Sequence, residues 1–267
     1  MDHIETLVRE RRSVRTFDGQ ELSAEDKEKL CAYMETIDNP YGLPVKFKLL
    51  EKMGCPVVIG TDLYIGAKMK DAPHLNEAFG YAFEKLVLYA QSLGIGTVWI
   101  GGTMDRDTFE KAMELAEDEV MPCVSPIGYP AKKMSVREKM MRKGVKADSR
   151  LAFEEIAYRN SLEQPLTPDA AGKLFLPIEM VRLAPSAVNK QPWRMVVTDD
   201  IVHFYLQRSK NFGGGKLDMQ KIDTGIALCH FELTAKELGI CTEFAVAEPN
   251  IPCKDGMEYI ASYKFKL

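Results

Sequence analysis

Three arginines lie within five residues near the start of the chain, and their chemistry is the first sign of a ligand. Arg11, Arg12 and Arg15 flank the hydroxyl of Ser13. Guanidinium groups hold phosphate through forked, charge-assisted hydrogen bonds, so this spacing suits a phosphate group. A short basic run by itself, however, is more often the solvated end of a helix. The segment is therefore a candidate phosphate site that needs a second signal.

A second candidate is the stretch from Ala184 to Trp193. Pro185 and Pro192 exclude a continuous helix through it, because each ring removes a backbone donor and fixes φ. Between them lie small Ser and Ala and two amides, Asn189 and Gln191, a composition that favours a tight loop whose backbone approaches a flat ligand closely. The candidate contact residues are Pro185, Ser186, Ala187, Asn189 and Gln191. Taken alone, the stretch fits an ordinary surface loop equally well.

Together the two segments resemble the FMN-dependent nitroreductase family, which has an Arg-x-Ser-x-Arg near its N-terminus and a Pro-Ser-x-x-Asn-x-Gln-Pro-Trp loop. Two further pieces match, at residues 94–102 and 126–130, so the resemblance covers most of the chain. It implies an α+β fold in which small mixed sheets are flanked by helices. It also implies FMN as cofactor, NADH or NADPH as transient electron donor, and a small molecule as electron acceptor.

The resemblance assigns each segment to a part of the flavin. One arginine would grip the phosphate and another would lie near the pyrimidine end, which Ser13 also contacts; which arginine does which stays open. Asn189 and Ser186 would bond the ring edge or the ribityl chain, and the backbone at Gly101 and Gly102 would lie against the ring. The expected cofactor-binding residues are Arg11, Arg12, Ser13, Arg15, Ile100, Gly101, Gly102, Arg150, Pro185, Ser186, Ala187, Asn189 and Gln191.

No residue is expected to act as an acid–base catalyst, because hydride transfer is the flavin's own chemistry. Trp99 and Trp193 are expected to pack in the core rather than to stack on substrate. The sequence has no Gly-x-Gly-x-x-Gly between a strand and a helix, so no Rossmann-type site is predicted. The favoured function is a ping-pong oxidoreductase that reduces nitroaromatic, quinone or related acceptors. The alternatives are a flavin-binding or sensing protein with little turnover, and a remnant that binds no flavin.

The second half of the sequence repeats the plan of the first, which predicts two nitroreductase-like halves at residues 1–150 and 151–267. Arg159-x-Ser161 corresponds to the start of the arginine run at a shift of 148 residues, but Glu163 stands where the last arginine would be. A phosphate there would be repelled. Family members are homodimers with FMN at the subunit interface. The chain is therefore expected to be a fused pseudo-dimer with one flavin, either a monomer or a homodimer.

Hydrophobic periodicity and turn residues predict the elements that must position these segments. Helices are expected over residues 76–92 and 105–115, and strands over 45–49, 97–100 and 120–127. The strongly basic stretch 132–150 is interpreted as a solvated connector, from which one or two side chains could reach a phosphate. The three glycines at 213–215 are expected to form a local loop.

Composition restricts the class of protein. The chain has 267 residues, of which 46% are hydrophobic and 28% charged, the balance of a globular protein with a full-sized core. A net charge of −4 argues against nucleic acid as a general partner, and no apolar run is long enough to cross a bilayer. The polar, acidic N-terminus is unlike a secretory signal, so a cytoplasmic location is expected. The six scattered cysteines are expected to be buried small apolar residues, and no metal site is predicted.

Overall fold

The computed structural model describes residues 1–209 and 216–266. The chain forms two compact units. Unit 1 consists of Met1 and Glu10–Ala147, and unit 2 consists of Asp2–Arg9 together with the chain from Asp148 onward. The glycines at 213–215, expected to form a local loop, lie outside the described residues.

Helices and strands are interspersed along the whole chain. The α-helices are α1 (Ile4–Glu10), α2 (Ala24–Met34), α3 (Leu75–Ser92), α4 (Arg106–Ala112), α5 (Val136–Gly144), α6 (Phe153–Ile156), α7 (Pro168–Ala171), α8 (Phe175–Leu183) and α9 (Met219–Glu237). The β-strands are β1 (Lys46–Leu50), β2 (Tyr64–Lys70), β3 (Gly96–Thr97), β4 (Glu119–Val120), β5 (Val124–Gly128), β6 (Ala157–Arg159), β7 (Trp193–Val197), β8 (Ile201–Gln207), β9 (Cys241–Ala245) and β10 (Met257–Lys266).

Unit 1 is built on an antiparallel sheet with the strand order β1-β2-β5-β3, and β4 adds to β2. The pairing of β1 with β2 runs from Lys46 opposite Lys68 to Leu50 opposite Tyr64. Helix α3 supplies much of the core, since apolar side chains such as Phe83 on it are fully buried. The sheet and this helix form the frame on which the N-terminal arginines are placed.

Unit 2 has the strand order β6-β7-β8-β10-β9, in which β6 is parallel to β7 and the other pairs are antiparallel. The part β7-β8-β10-β9 repeats the connectivity of β1-β2-β5-β3. In both units two neighbouring strands are followed by a long helix and then by the strand at the end of the sheet. The last strand of the set pairs between the second strand and this end strand. The α+β fold with two similar halves is therefore confirmed.

Two of the predicted strands are shorter than expected or interrupted. The strand expected over 97–100 is limited to β3, and Ile100 makes only an isolated bridge to Val124. The strand expected over 120–127 is divided into β4 and β5, because Pro122 between them has no N–H to donate to a ladder. The other predicted elements are found nearly in place, at Lys46–Leu50, Leu75–Ser92 and Arg106–Ala112.

The basic stretch 132–150 contains a helix, and most of its basic side chains are exposed, as expected for a solvated segment. Helix α5 occupies its middle, and Ser135 caps this helix by accepting a hydrogen bond from the Glu138 N–H at 3.1 Å. Arg142 and Lys143 lie in the last turn, where positive charge interacts favourably with the helix dipole. The basic residues are thus compatible with a capped helix that the charge pattern alone did not indicate.

Three of the six cysteines are exposed, so the expectation that all are buried was wrong. Cys31 lies on α2, Cys241 begins the end strand β9, and Cys253 lies in the loop before β10. All six are free thiols. Within the described ranges, no helix is long and apolar enough to cross a membrane. The His, Cys, Asp and Glu side chains of the same residues form no group of three or more that could hold a metal ion.

Candidate functional site

The arginine segment, residues 11–17, is held in unit 1 as an extended, strand-like stretch. Ser13 makes a parallel bridge with Thr97 of β3. Two residues further on, the carbonyl of Arg15 accepts a hydrogen bond from the Ile59 N–H at 2.9 Å. Because the backbone of the segment is hydrogen-bonded at both places, the Cα positions from which its side chains extend are fixed.

Two glycines from the other matched motifs make room for this segment. Gly96 and Gly128 lie opposite each other on β3 and β5. A Cβ at Gly96 would lie 3.0 Å from the Val14 side chain, and one at Gly128 would lie 3.0 Å from Cδ1 of Phe17. These approaches are too close for a side chain without local movement, so the missing Cβ atoms permit the contact. The glycines of the two motifs therefore help to position the arginines.

Arg11 is buried against a carboxylate. Its side chain is 6% exposed, and its Nε lies 4.0 Å from Oε1 of Glu84, which is fully buried on α3. The other carboxylate oxygen of Glu84 accepts a hydrogen bond from Nε1 of Trp99 at 2.9 Å. Burial lowers the pKa of Arg11, and the negative charge of Glu84 opposes that effect. Glu84, which the sequence pattern did not single out, thus provides a counter-charge to Arg11.

A second buried carboxylate acts on Arg12 and Arg15. Glu138 of α5 is 1% exposed, and its Oε1 lies 3.6 Å from Nη1 of Arg12. Burial lowers the pKa of Arg15; Glu138 opposes this change, and the charge of Arg142 reinforces it. Arg142 also lowers the pKa of Arg11. We call these residues the arginine cluster: Arg11, Arg12, Arg15, Glu84, Glu138 and Arg142.

Each of the three arginines in the arginine segment keeps a buried N–H group for which the described residues offer no hydrogen-bond acceptor. The atoms are Nη1 of Arg11, Nη1 of Arg12 and Nε of Arg15. A buried donor left unsatisfied costs about 1–3 kcal/mol. Three such donors in one short segment therefore favour an acceptor that a ligand supplies. Phosphate oxygens accept charge-assisted bonds of this kind, so the donor set fits the phosphate of FMN.

The predicted contact residues Ile100, Gly101 and Gly102 follow β3. Ile100 is buried and exchanges two backbone hydrogen bonds of 2.9 Å with Val124. The carbonyl of Gly101 accepts a hydrogen bond from Nη2 of Arg106 at 3.2 Å. A Cβ at Gly102 would meet no described atom within 4 Å. Packing inside the protein thus does not require this glycine, and its backbone is open to a ligand.

The Ser186 loop, residues 184–192 of unit 2, has an unusual backbone. Val188, Asn189 and Gln191 have φ values of 46°, 56° and 49°, in the left-handed region. For a β-branched residue such as Val188 this is an outlier. Strain of this kind costs about 1–3 kcal/mol per residue and is concentrated at functional sites. The conformation therefore favours the hypothesis that the loop binds a ligand.

The polar side chains of the loop hold it in this shape. The hydroxyl of Ser186 accepts a hydrogen bond from the Gln191 N–H at 2.8 Å. Oε1 of Gln191 accepts one from the Leu151 N–H at 2.9 Å, and Nδ2 of Asn189 donates to the carbonyl of Ser149 at 3.0 Å. These residues stabilise the loop, while the flavin contacts that the resemblance assigns to them stay predictions.

Arg150 contacts the start of the loop. Its Nη2 donates to the carbonyl of Leu183 at 3.2 Å, and its Nη1 donates to the carbonyl of Ser149 at 2.8 Å. Leu183 is the last residue of α8, and Pro185 prevents the helix from continuing. A basic side chain is favourable at this end of a helix. In the structure Arg150 thus supports the loop, and its contact with a phosphate remains a prediction.

Asp223 of α9 bonds the backbone of the Ser186 loop. The sequence pattern did not indicate this residue as part of the site. Its two carboxylate oxygens lie 3.0 and 3.1 Å from the Ala187 N–H, which donates to them. Asp223 is 3% exposed. Burial raises the pKa of Asp223 well above its usual range; the Ala187 N–H opposes this rise, and Asp218 contributes to it. The available signal in the sequence was an acidic residue inside an otherwise apolar helical run.

We expect Asp223→Asn to remove a pH-dependent loss of stability. Because the folded protein holds the Asp223 proton more tightly than the unfolded chain does, the wild type loses stability as pH rises from about 4 through the raised pKa. Asparagine cannot ionise, and its Oδ1 still accepts from the Ala187 N–H. Thermal unfolding should give equal stabilities near pH 4 and an advantage of about 1–3 kcal/mol for the variant at pH 7. If wild type and variant differed in stability by the same amount at pH 4 and at pH 7, this expectation would be contradicted.

The two tryptophans pack against the protein interior, as predicted. Trp193 is fully buried at the start of β7. The ring of Trp99 lies 4.7 Å from that of Phe83 and 6.3 Å from that of Phe79, measured between centroids. Trp99 is half-buried, and it also donates a hydrogen bond from Nε1 to Glu84.

Arg159 does not occupy in unit 2 the place that the arginine segment occupies in unit 1. Strand β6, which ends at Arg159, is parallel to β7, the counterpart of β1. Ser13 instead pairs with β3, at the other end of its sheet. Arg159 is exposed and donates from Nη2 to the carbonyl of Ala170 at 2.8 Å. The two segments match in sequence, but they lie at opposite ends of the strand order in their sheets.

A model of one protein family matches residues 3–235, and its description is “Putative TM nitroreductase”. The match includes the arginine segment, both glycine motifs and the Ser186 loop. The protein belongs to this nitroreductase family. Membership supports a general oxidoreductase role.

Solved structures of several bacterial proteins are similar to this nitroreductase-family chain. A “putative nitroreductase” of Thermotoga maritima is 22% identical with a TM-score of 0.60, and the match covers 99% of this chain and 93% of that one. A “Putative NADH dehydrogenase/NAD(P)H nitroreductase” of Bacteroides thetaiotaomicron is 20% identical over 51% of this chain and 90% of that one, with a TM-score of 0.43. An FMN-dependent nitroreductase of Clostridium difficile is 18% identical over 51% and 94%, with a TM-score of 0.40. The first of these shows the shared fold, and no curated protein matches the chain.

Proposed function

We propose that this member of the nitroreductase family is an FMN-dependent oxidoreductase. It takes hydride from NADH or NADPH and reduces nitroaromatic compounds, quinones or related small molecules, and the donor leaves before the acceptor enters. Family membership and the four sequence motifs support the proposal. The observation that carries it is the set of three buried arginine N–H groups for which the described residues offer no acceptor.

In this proposal the arginine segment binds the phosphate and one end of the flavin ring. A phosphate monoester has three strong acceptor oxygens, which suit the open donors of Arg11, Arg12 and Arg15. A hydrogen bond to a charged group contributes about 1.5–3 kcal/mol. Ser13, which is fixed beside Thr97, would add a hydroxyl group.

The same proposal assigns residues 100–102 and the Ser186 loop to the flavin, on the basis of the resemblance. Gly102 would offer its backbone, since no described side chain or main chain fills the space beside it. The Ser186 hydroxyl would donate its O–H to the ligand while its oxygen still accepts from the Gln191 N–H, and Asn189 would offer its side-chain amide. Because the N–H of the buried Gln191 keeps its acceptor, a bond from the Ser186 O–H to the ligand would avoid the cost of an unsatisfied buried donor.

When bound, FMN supplies the redox chemistry by accepting hydride and passing it to the acceptor. The protein contributes placement and electrostatics. Guanidinium groups near the pyrimidine end favour negative charge there, and buried positions strengthen this effect because the local dielectric is lower than in water. The proposal therefore requires no side chain that donates or removes a proton.

The proposal is tested by quantifying the flavin that the purified protein releases and by adding NADH or NADPH without oxygen. We expect one FMN per chain and loss of the flavin absorbance when the nucleotide is added. One FMN that keeps its absorbance would instead support a flavin-binding or sensing role. Two FMN per chain would contradict the single site, and failure to bind FMN on reconstitution would contradict the whole proposal.

A further inference from the structure

Helix α5 of unit 1 fully buries a carboxylate rather than an apolar side chain. Glu138 is its one buried residue, at 1% exposure, and every residue of this helix is described. Of its three large apolar side chains, Val136 and Met140 are 73% and 69% exposed, and Met141 is half-buried. A surface helix normally buries an apolar stripe. Polar contacts therefore hold α5 in place: the ion pair of Glu138, the hydrogen bond that the Ser135 N–H donates to Oγ1 of Thr16 at 3.1 Å, and the one that Nη1 of Arg137 donates to the Pro56 carbonyl at 2.6 Å.

The carboxylate of Glu138 is poorly satisfied for a buried group. Neither of its oxygens accepts a hydrogen bond from the residues that the structure describes. Its Oε1 lies 3.6 Å from Nη1 of Arg12, a distance that gives attraction without a hydrogen bond. Glu84 differs, because it accepts a hydrogen bond from Trp99. Of the two carboxylates, Glu138 is thus the one held by charge alone.

The arginine cluster keeps a net positive charge. Its four guanidinium groups and two carboxylates, counted within the described residues, leave a charge of +2. A phosphate monoester carries about −1.5 to −2 at neutral pH, so it matches this charge. The same phosphate would lie near the Arg12 and Arg15 groups that Glu138 attracts. Glu138 and the phosphate are therefore like charges that act on the same cations.

We propose that Glu138 is an internal counter-ion of the arginine cluster, which opposes a bound phosphate monoester and so limits the affinity of the site for it. The proposal rests on the proposed function, in which FMN supplies that phosphate. Without the ligand, Glu138 reduces the repulsion among the guanidinium groups and helps to hold α5 in place. With the ligand bound, its charge weakens the attraction that the arginines exert on the phosphate.

The test compares Glu138→Gln with wild type by calorimetric titration of the flavin-free protein with FMN, riboflavin and inorganic phosphate. Removal of one nearby like charge should lower the Kd of FMN and of phosphate by about 5- to 50-fold. The Kd of riboflavin, which has no phosphate, should not change. The thermal midpoint of the flavin-free variant should fall. Glu25→Gln is the matched control, because Glu25 is 75% exposed and its loss changes the net charge equally.

An unchanged or raised Kd for both FMN and phosphate in Glu138→Gln would overturn the proposal and leave Glu138 a structural role. If the wild type binds phosphate but no flavin, the proposed function fails, while a lower phosphate Kd in the variant still supports the counter-ion. Absence of binding by every ligand would contradict both. If Glu138→Gln does not fold, Glu138→Asp, with its shorter side chain, should show a smaller change in the same direction, and a raised Kd for this variant would overturn the proposal.

Discussion

Replacement of Arg15 by alanine is expected to weaken FMN binding by about 1.5–3 kcal/mol, roughly a 10- to 150-fold rise in Kd. The reason is that Nε of Arg15 is buried with no acceptor among the described residues, so a ligand oxygen there would gain a charge-assisted bond. Titration of the flavin-free protein with FMN measures the effect. An unchanged Kd would remove Arg15 from the site.

Riboflavin separates the two roles that are open for Arg15. If the guanidinium binds the phosphate, Arg15→Ala should leave riboflavin affinity unchanged while FMN affinity falls. If it lies near the pyrimidine end, both affinities should fall together. Arg159→Ala is the matched control, since Arg159 is exposed and its side chain, among the contacts described, bonds only the Ala170 carbonyl of its own unit. Loss of flavin from that control would contradict the single-site model.

Replacement of Arg11 by methionine is expected to lower the free energy of unfolding of the flavin-free protein by about 3–5 kcal/mol. Methionine fills much of the space but leaves the fully buried carboxylate of Glu84 without the positive charge beside it. The hydrogen bond from Trp99 remains, but it does not replace that charge. Urea unfolding of wild type and variant, both without flavin, measures the loss.

Two further variants define the origin of that loss. The double variant Arg11→Met/Glu84→Gln removes both charges, so it should recover most of the lost stability. Arg9→Met tests an exposed pair, in which Arg9 and Glu5 are 44% and 43% exposed, and its effect should stay within about 1 kcal/mol. Equal losses in the single and double variants would show that Arg11 acts through packing rather than through its charge.

The sequence was most informative where the chemistry lies in one short segment. The spacing of Arg11, Ser13 and Arg15 indicated phosphate, and the structure shows buried guanidinium N–H groups there. Helix α3 was predicted within one residue at its start because its apolar residues recur over four turns. Strand β3 was overestimated, since Thr97 to Ile100 has the composition of a strand but only Gly96–Thr97 is paired. Pairing depends on a partner strand, which local composition does not specify.

By itself the sequence determined the local chemistry of this protein: which residues carry charge near the phosphate-binding motif, which loop excludes a helix, and to which family the motifs belong. Only the tertiary structure decided which charges are buried and what opposes them. Glu84 and Glu138 come from distant helices, and Asp223 reaches the Ser186 loop from α9. Burial and the lower dielectric that accompanies it arise only when the chain folds, because they depend on neighbours far apart in sequence. For that reason an acidic residue within a basic stretch, as Glu138 is, could not be recognised as part of the site before the fold was known.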